Sequence, residues 1–445
     1  MIPLQTHSLT EFAQLGPYVG YSYSYPHKTT YRPLAQPASL ASVWKNEPQD
    51  SLFLYVHIPF CEVRCGFCNL FTFSQPEADL PTQYLKTLRR HAESIRQQLP
   101  FAKFGRLAIG GGTPSFLDAD QLTELFSTLN ECLNVDGTRV PTSFEVSPGT
   151  IDSEKLQKLH DFGVDRVSMG IQSLNARDVS SLGRPQKQAE VFRALDLIRE
   201  YSFETLNLDL IYGAEQQTLA SWMESVAETI RIRPEEIYLY PLYVRPLTGL
   251  AKINRPASDK RPELYHAART LLVDSGYEQI SMRMFQLPRK FAKTTQDYSC
   301  QRDGMIGLGC GARSYTSELH YGSSYAVKQT SILRLIHDYI SQTSSQLSLA
   351  THGNELNSEE QQRRHLILSL LLVEGLDSLS YTQRFGSAPM ENFPELQELC
   401  ELGMATVSDD RFQLTEKGIA WSDTIGPWLY SEEVRLRMAE FPWTD

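Results

Sequence analysis

Three closely spaced cysteines constrain this chain more than any other feature of its sequence. Cys61, Cys65 and Cys68 have the spacing CxxxCxxC and follow the apolar run Phe53–Phe60. Three thiolates on one loop can ligate a cubane iron–sulfur cluster and leave one iron free to hold a small molecule. The alternative is a structural zinc site, which usually takes four ligands, often as two separated pairs. The other cysteines are scattered along the chain, so the spacing favours the cluster.

Length, composition and charge narrow the class of protein. The chain has 445 residues, of which 41% are hydrophobic, and a net charge of −11. Its length predicts one large domain with one or two smaller ones, and its negative charge argues against a nucleic-acid-binding protein. The sequence predicts neither a signal peptide nor a transmembrane helix. An odd number of cysteines does not suggest a disulfide framework, so we expect a reducing, cytoplasmic location.

From residue 51 onward, short apolar runs alternate with amphipathic stretches of helical length. The predicted strands are Leu52–Ile58, Arg106–Gly110, Ser143–Ser147, Arg166–Ile171, Thr205–Tyr212 and Glu236–Tyr243. The predicted helices lie near 81–98, 118–133, 152–162, 187–200 and 218–232, with Asp118, Asp152 and Thr218 as N-caps. This alternation predicts right-handed βαβ units and a parallel sheet, open or curled into a partial barrel. The chemistry of such sheets lies at the carboxyl ends of their strands.

The segments on either side of this alternation have different patterns. Residues 1–50 are rich in proline and tyrosine and show no helical or strand periodicity, which predicts an extended arm packed against another part of the molecule. After Pro246 the predicted elements are helices near 262–275, 328–342 and 358–374 and a strand near Tyr277–Phe285. The end of the chain predicts helices and a hairpin of 405–407 with 412–414, a winged-helix-like arrangement with too little basic clustering to favour DNA binding.

Polar residues follow several of the predicted strands. A run of three glycines, Gly110–Gly112, precedes Thr113; adjacent glycines let backbone N–H groups approach a charged ligand, although a tight turn explains the run equally well. The other polar residues are Glu145, Gln172, Arg184 and Asp209. Each alone fits an ordinary solvated side chain, except that a carboxylate among the apolar residues around Asp209 is costly unless paired. Placed at successive strand ends, they predict one pocket.

These motifs in series resemble the radical S-adenosylmethionine (SAM) superfamily, and specifically its HemN group, the oxygen-independent coproporphyrinogen III oxidases and their relatives. The matching segments are Tyr55-Val-His-Ile-Pro-Phe-Cys61, Gly110-Gly-Gly-Thr-Pro, Glu145-Val-Ser-Pro-Gly-Thr, Arg166-Val-Ser-Met-Gly-Ile-Gln-Ser173, Leu208-Asp-Leu-Ile-Tyr-Gly213 and Gly307-Leu-Gly-Cys-Gly-Ala. The resemblance implies an α/β fold with a partial (β/α)6 TIM-like barrel over 51–250. It also implies an N-terminal arm over 1–50, a HemN-type barrel extension over 251–350 and a mostly helical, winged-helix-like domain over 351–445.

The resemblance also implies cofactors and binding positions. Cys61, Cys65 and Cys68 would hold a 4Fe–4S cluster whose free iron binds the amino and carboxylate groups of SAM. One electron would then cleave SAM to methionine and a 5′-deoxyadenosyl radical. The positions carried over for the cluster-bound SAM are Tyr55, Gly111 and Glu145. Those carried over for a second SAM are Phe67, Gly112, Thr113, Gln172, Arg184 and Asp209, and the further positions Tyr243 and Arg313 match in less similar surroundings.

Three departures from the HemN pattern concern the substrate. HemN oxidases carry a fourth cysteine two residues after the third, where this chain has Leu70. The sequence after Tyr212 is Gly-Ala-Glu-Gln-Gln where relatives read Gly-Leu-Pro-Gly/Lys-Gln, and Glu145 is followed by Val-Ser-Pro where relatives more often have Asn-Pro. None of these removes the residues that the cluster and SAM require.

Three functions therefore stay open. The first is oxidative decarboxylation of coproporphyrinogen III, whose propionates need cations such as Arg32, Arg245, Arg283 or Lys290. The second is a HemN-like C-methyltransferase or cyclopropanase, in which the second SAM donates carbon. The third is a haem chaperone of the HemW kind, against which the arm before residue 50 argues. For an enzyme, the resemblance implies a small-molecule substrate, an electron donor such as flavodoxin or ferredoxin, and a monomer that binds neither nucleic acid nor membrane.

Overall fold

The computed structural model describes residues 8–252, 259–288, 303–408 and 410–443. The N-terminal arm contains more secondary structure than its tyrosine-rich composition predicts. It contains helix α1 (Leu9–Ala13), strand β1 (Arg32–Ser39) and helix α2 (Leu40–Val43). The prediction of an arm without strands was therefore wrong for residues 32–39, because the prolines at 33 and 37 hide a strand at the edge of a sheet, where a missing N–H is tolerated.

The middle of the chain alternates strands and helices as predicted. Its strands are β2 (Leu52–Ile58), β3 (Phe60–Cys61), β4 (Phe73–Ser74), β5 (Phe104–Gly111), β6 (Thr142–Val146), β7 (Arg166–Gln172), β8 (Thr205–Tyr212) and β9 (Glu236–Pro241). Its helices are α3 (Leu80–Gln98), α4 (Ala119–Leu133), α5 (Ser153–Phe162), α6 (Ala176–Ser181), α7 (Gln188–Glu200) and α8 (Leu219–Ile232). The predicted N-caps are confirmed, since Asp118, Asp152 and Thr218 each accept a hydrogen bond from the backbone N–H three residues later.

Six parallel strands form the centre of the sheet, in the order β2-β5-β6-β7-β8-β9. Consecutive strands are neighbours, as expected when each connection crosses over through a helix. Both faces are covered, so a strand such as β8 reads as a nearly continuous apolar run in which Leu206, Leu208 and Leu210 are fully buried. The carboxyl ends of all six strands consequently lie along one edge, where the site residues follow them.

The next segment extends this sheet on both sides. It comprises α9 (Arg261–Asp274), β10 (Glu278–Gln279), β11 (Met284–Gln286), β12 (Met305–Leu308), β13 (Arg313–Tyr315), β14 (Leu319–Gly322), α10 (Gln329–Ser341), α11 (Ser344–Leu347) and β15 (Leu349–Glu355). The strand predicted over 277–285 is instead the short hairpin β10–β11, which pairs with β9. On the other side β12 is parallel to β2, and β13, β14, β15 and β1 continue antiparallel, giving thirteen strands within the described residues.

The last segment is mostly helical. It contains α12 (Ser358–Leu370), β16 (Leu376–Asp377), α13 (Ser378–Phe385), α14 (Pro389–Asn392), α15 (Leu396–Glu401), β17 (Ala405–Ser408), β18 (Arg411–Leu414), α16 (Glu416–Ala420), α17 (Ser422–Trp428) and α18 (Glu432–Ala439). The predicted hairpin is confirmed as β17–β18, with β16 as a third strand. The single final helix predicted from Thr415 is divided into three. In the described part of the chain, no helix combines the length and apolarity needed to cross a bilayer.

The arm is held between the sheet and this last segment. The backbone N–H of Gly20 donates to the carbonyl of Asp423 (2.8 Å), and the hydroxyls of Ser22 and Tyr430 are 2.9 Å apart. The Arg32 guanidinium donates to the carbonyl of Arg437 (2.6 Å). The predicted packing of the arm is therefore confirmed, and it is the two ends of the chain that meet there.

Candidate active site

A cavity of about 1130 Å³ opens at the carboxyl ends of the parallel strands. Its walls come from the arm, the strand-end loops, the extension and the last helix. All fourteen residues that the sequence assigned to the cluster or to SAM line it: Tyr55, Cys61, Cys65, Phe67, Cys68, Gly111, Gly112, Thr113, Glu145, Gln172, Arg184, Asp209, Tyr243 and Arg313. The structure thus brings them together, while their individual binding roles stay predictions.

The cysteine loop lies under hydrogen-bond donors. The Cys61 sulfur is 2.9 Å from the Thr72 hydroxyl and 3.4 Å from the Thr113 hydroxyl. The Arg184 guanidinium donates to the Cys65 sulfur at 3.4 Å. Burial raises the pKa of Cys61, and it raises the pKa of Cys68 to about 12, with the other two thiols adding to the rise. Without a metal these buried thiols would stay protonated, whereas a metal would bind them as thiolates.

The arrangement of the sulfurs bears on which metal group they fit. Among the described residues, no set of three His, Cys, Asp or Glu side chains is grouped to hold a single metal ion. The three thiols influence one another electrostatically, so they lie in one region. The hydroxyl and guanidinium donors beside them suit the sulfurs of an iron–sulfur cluster.

Gly111, the last residue of β5, and Gly112 closely approach neighbouring groups. Gly111 has φ +120°, and a Cβ there would lie 2.7 Å from the His57 ring. A Cβ on Gly112 would lie 2.6 Å from the Phe60 carbonyl oxygen and 3.0 Å from the Cys61 sulfur. A larger residue would displace His57 at the first position and the cysteine loop at the second, so both glycines are needed for packing whether or not a ligand also approaches them.

Glu145 and Asp209 are two carboxyl groups that line the cavity and influence each other. The Glu145 side chain is exposed to the cavity, which is itself enclosed by protein. Its carboxyl accepts a hydrogen bond from the Gly111 N–H at 3.2 Å. Burial, reinforced by the charge of Asp209, raises the pKa of Glu145 to about 7. Burial likewise raises the pKa of Asp209 to about 6, although Asn207 donates to it at 2.8 Å. Both carboxyls would ionise fully beside a cationic ligand.

A bulge in β7 positions two more side chains. Gln172 has φ +61°, and the register between β7 and β8 shifts at Gly170. Arg184 donates to the carbonyl of Gly170 (2.8 Å) and to Gln186 (2.8 Å), which in turn donates to the carbonyl of Ile171 (2.8 Å). These bonds hold the guanidinium between the cysteine loop and the strand ends. We call the surface formed by Cys61, Cys65, Cys68, Glu145, Arg184 and Asp209 the cysteine-side wall.

A second set of residues that line the cavity, which we call the arm-side wall, consists of Tyr23, His27, Lys28, Arg245 and Arg313. Lys28 Nζ lies 3.8 Å from the centre of the Tyr325 ring, and the Arg245 guanidinium lies 4.8 Å from that of Tyr243. Arg313 donates to the Tyr23 hydroxyl at 3.4 Å. Within the described residues, none of the three cations forms an ion pair with a carboxylate.

The cations of the arm-side wall shift the pKa values of the neighbouring Tyr23 and His27. Burial alone would raise the pKa of Tyr23, but Arg313 and Lys28 lower it to about 8. Burial, followed by the charges of Lys28, Arg245 and Arg313, lowers the pKa of His27 well below its usual value, so the imidazole is neutral. Buried cations are costly unless an anion accompanies them. The arm-side wall is therefore suited to an anionic ligand.

Sequence reasoning missed most of this wall. It noted the tyrosine-rich arm but gave no site role to Tyr23, His27 or Lys28, because nothing local indicates which strands the arm covers. It also missed His57, which lines the cavity and lies 3.1 Å from the Tyr55 hydroxyl and 2.8 Å from the Phe71 carbonyl. Burial lowers the pKa of His57 to about 4, and its place two residues before Pro59 in a strand-end motif was the available signal.

Of the four cations predicted to meet propionates, Arg245 alone lines the cavity within the described residues. Arg283 was a wrong choice: it is buried and forms an ion pair with Asp423, which also accepts from the Tyr243 hydroxyl. Arg32 is engaged with backbone carbonyls of the arm and the last helix. Lys290 lies outside the described residues. Leu70, at the position of the relatives' fourth cysteine, faces the cavity with 49% of its surface exposed.

Comparison with known proteins agrees with this geometry. Residues 55–228 match the family model of the radical SAM superfamily, and residues 356–421 match the HemN C-terminal domain. The chain is 27% identical over 386 residues to the heme chaperone HemW of Bacillus subtilis (strain 168), covering 84% of this chain and 98% of the relative.

It is 28% identical over 431 residues to the oxygen-independent coproporphyrinogen III oxidase of Salmonella typhimurium, covering 89% of this chain and 91% of the relative. The solved structure of coproporphyrinogen III oxidase (HemN) from Escherichia coli shares the fold, with a TM-score of 0.80 at 24% identity over 92% of this chain and 96% of that chain.

Proposed function

Because this chain belongs to the HemN-like family of the radical SAM superfamily, we propose that it binds a 4Fe–4S cluster and SAM and oxidises an anionic tetrapyrrole. The observation that carries the proposal is the pairing of two walls in one cavity. Three thiols and two carboxyls line this cavity together with three cations that have no carboxylate partners among the described residues. The first set suits a cluster and a cationic cofactor, and the second suits substrate carboxylates.

The cysteine-side wall supplies the ligands of the cofactors. Cys61, Cys65 and Cys68 are proposed to ligate three irons, stabilised by donors from Thr72 and Arg184. Glu145, near Tyr55 and Gly111, is proposed to accept from the ammonium group of SAM. When bound, the reduced cluster supplies the electron that splits SAM into methionine and a 5′-deoxyadenosyl radical, which abstracts a hydrogen atom from the substrate.

A second SAM is proposed beside the first. Its positions are Phe67, Gly112, Thr113, Gln172, Arg184 and Asp209. The Asp209 carboxyl, ionised beside a cation, can accept from ribose hydroxyls, and the Arg184 fork can donate to a carboxylate. Tyr243 and Arg313 fit this role less well. The Tyr243 hydroxyl already donates a hydrogen bond to Asp423. Arg313 belongs to the arm-side wall, where we propose that it binds substrate.

The volume and charge of the cavity support a tetrapyrrole with propionate groups. About 1130 Å³ exceeds the range typical for a single drug-sized ligand, leaving room for substrate beside cofactor. Lys28, Arg245 and Arg313 are proposed to bind propionates, with neutral His27 and the Tyr23 hydroxyl as further donors. The first candidate reaction is therefore decarboxylation of coproporphyrinogen III, in which the 5′-deoxyadenosyl radical takes a β-hydrogen atom, carbon dioxide leaves and one electron passes to a one-electron acceptor, so that a vinyl group remains.

A second candidate is carbon transfer from SAM to the same class of substrate. It is favoured by Leu70, an apolar side chain that faces the cavity where oxidases carry a cysteine. The altered segment Ala214–Gln217 follows β8 directly. With these changes the second SAM would serve as carbon donor rather than as oxidant.

Anaerobic reconstitution followed by product analysis tests these proposals. Incubation with dithionite, SAM and coproporphyrinogen III should yield 5′-deoxyadenosine and a decarboxylated product. S-adenosylhomocysteine together with a methylated tetrapyrrole would replace the first candidate by the second. Haem binding without any SAM cleavage would contradict both and leave a chaperone of the HemW kind.

A further inference from the structure

The segment that follows helix α18 reaches the cavity and has no part in the proposed function. Trp443 lines the cavity, as do Met438 and Ala439 at the end of that helix. All three lie beyond residue 421, where the match to the HemN C-terminal domain ends. Their role in this chain therefore has to follow from their own contacts.

Aromatic contacts hold this segment in place. The centre of the Phe441 ring lies 5.1 Å from that of Trp443, with the two planes at 74°, and 5.8 Å from that of Tyr325. Aromatic pairs prefer such separations, with the rings inclined to each other. The Tyr325 hydroxyl donates to the carbonyl of Asn69 at 2.6 Å, and Asn69 directly follows Cys68. Two ring contacts and one hydrogen bond therefore link this segment to the cysteine loop.

Leu70, Tyr325 and Trp443 give the cavity a surface that we call the apolar patch. Leu70 is 49% exposed, and Trp443 is half-buried. Apolar surface that faces a cavity favours a ligand whose own apolar face removes it from water. Lys28 Nζ lies 3.8 Å from the centre of the Tyr325 ring, so the patch adjoins a cation of the arm-side wall. A ligand that suits both surfaces combines carboxylates with flat apolar rings.

We infer that Trp443 contacts the substrate and that its indole stacks against one of the pyrrole rings; the inference rests on the proposed function, which supplies the tetrapyrrole. The face of an indole carries partial negative charge. It can therefore pack against another ring in an offset arrangement or accept a weak hydrogen bond from a pyrrole N–H. The contact forms no covalent bond. It contributes to affinity and to the choice of substrate, and the cleavage of SAM does not depend on it.

The test measures porphyrin affinity and SAM cleavage separately in the reconstituted protein. Trp443→Leu keeps an apolar side chain but removes the aromatic ring, and Trp443→Phe restores a ring at the same position. The matched control is Phe101→Leu, which removes an aromatic ring that is 85% exposed and does not line the cavity. Affinity for coproporphyrin III is measured by the fluorescence of the porphyrin. Formation of 5′-deoxyadenosine is measured after reduction by dithionite.

We expect Trp443→Leu to bind coproporphyrin III about tenfold more weakly than wild type, because a ring contact and its buried area are lost. Trp443→Phe should recover most of this affinity, the control should match wild type, and all four proteins should cleave SAM equally.

Unchanged porphyrin affinity in Trp443→Leu would overturn the inference. Tighter binding would also overturn it, since the indole would then obstruct the cavity. An equal loss of affinity in the two Trp443 variants would exclude the stacking contact. Absence of SAM cleavage in dithionite-reduced wild type would instead contradict the proposed function, and the porphyrin titration would still test Trp443.

Discussion

The two walls of the cavity were built in different ways. The residues of the cysteine-side wall lie in parallel strands or in the segments that follow them, so they are close in space because their strands are neighbours. The arm-side wall combines Tyr23, His27 and Lys28 of the arm with Arg245, which follows β9, and Arg313 of β13, so it depends on long-range packing of the arm. The comparison teaches that the part of the site proposed to hold the cofactors follows from the parallel sheet, whereas the part proposed to bind substrate depends on how the arm covers that sheet.

The largest effect that we expect from a single substitution concerns the cysteine-side wall and tests the difference between the two walls. We expect Cys65→Ala to lose the 4Fe–4S absorbance and all SAM cleavage, because two thiolates are insufficient to hold the cluster. The control is Cys132→Ala, a half-buried cysteine outside the cavity, which should keep both. Binding of a porphyrin tetracarboxylate to the arm-side wall should persist in both variants. An unchanged cluster spectrum in Cys65→Ala would contradict the assignment of the wall.

The second prediction concerns how the arm-side wall is held. Asp423 is buried, pairs with Arg283 and accepts from Tyr243, and Arg283 lies 3.7 Å from the centre of the Tyr21 ring. Asp423→Asn leaves the buried guanidinium without a counter-ion and should cost about 3–5 kcal/mol of unfolding free energy. Denaturant titration measures this.

A matched pair of variants separates charge from packing at the same position. Arg283→Met combined with Asp423→Leu removes both charges together and should be more stable than Asp423→Asn alone, since replacing a buried pair by apolar groups costs less than breaking it. If the double variant is the less stable, the pair is needed for more than charge compensation.

The third prediction tests whether the arm-side wall binds substrate without affecting SAM cleavage. Lys28→Met keeps an apolar chain near Tyr325 but removes a cation. It should weaken binding of coproporphyrin III about tenfold, because one charge-assisted hydrogen bond to a propionate is lost. SAM cleavage driven by dithionite should be unchanged. Fluorescence quenching of the porphyrin measures affinity. The control is Lys86→Met, an exposed lysine on α3, and equal weakening by both variants would remove Lys28 from the site.

The smallest expected effect is a pH dependence of the cysteine-side wall. Because burial raises the pKa of Glu145 to about 7 and that of Asp209 to about 6, both are partly protonated near neutrality and accept a cation less well as the pH falls. SAM affinity should therefore decrease from pH 8 to pH 6, and in Glu145→Gln it should be weaker and less pH-dependent. Equilibrium dialysis at several pH values measures this.

The same shift predicts the sign of a stability effect. A carboxyl whose folded pKa is raised binds a proton more readily in the folded state, so its contribution to stability decreases as the pH rises from about 4.5 to about 7. Above that window Glu145→Gln should stabilise the free protein by on the order of 1 kcal/mol, since the carboxylate faces a cavity that admits water. Destabilisation at pH 8 would contradict the raised pKa.

The sequence predicted the parallel part of the fold closely because local patterns determine it. Strands β2 and β8 have the predicted bounds, and the three N-caps follow from Asp and Thr before amphipathic runs. The arm was predicted less well, because β1 contains prolines and pairs with β15 across more than three hundred residues. The site divides in the same way. Glu145 and Asp209 were found at strand ends, whereas Lys28 and His27 depend on contacts that no local pattern encodes.

The contact between Ser22 and Tyr430 joins residues 408 positions apart, and it has a consequence for the order of assembly. Bringing such distant segments together costs loop-closure entropy and occurs late, while the βαβ units form from contacts between near neighbours. We therefore expect the barrel and its cysteine loop to be formed while the top of the cavity is still uncovered. Pulse-labelled hydrogen exchange should show protection in β2 and β5 before Gly20. The window between these two events is when a preformed cluster has its widest path to the loop.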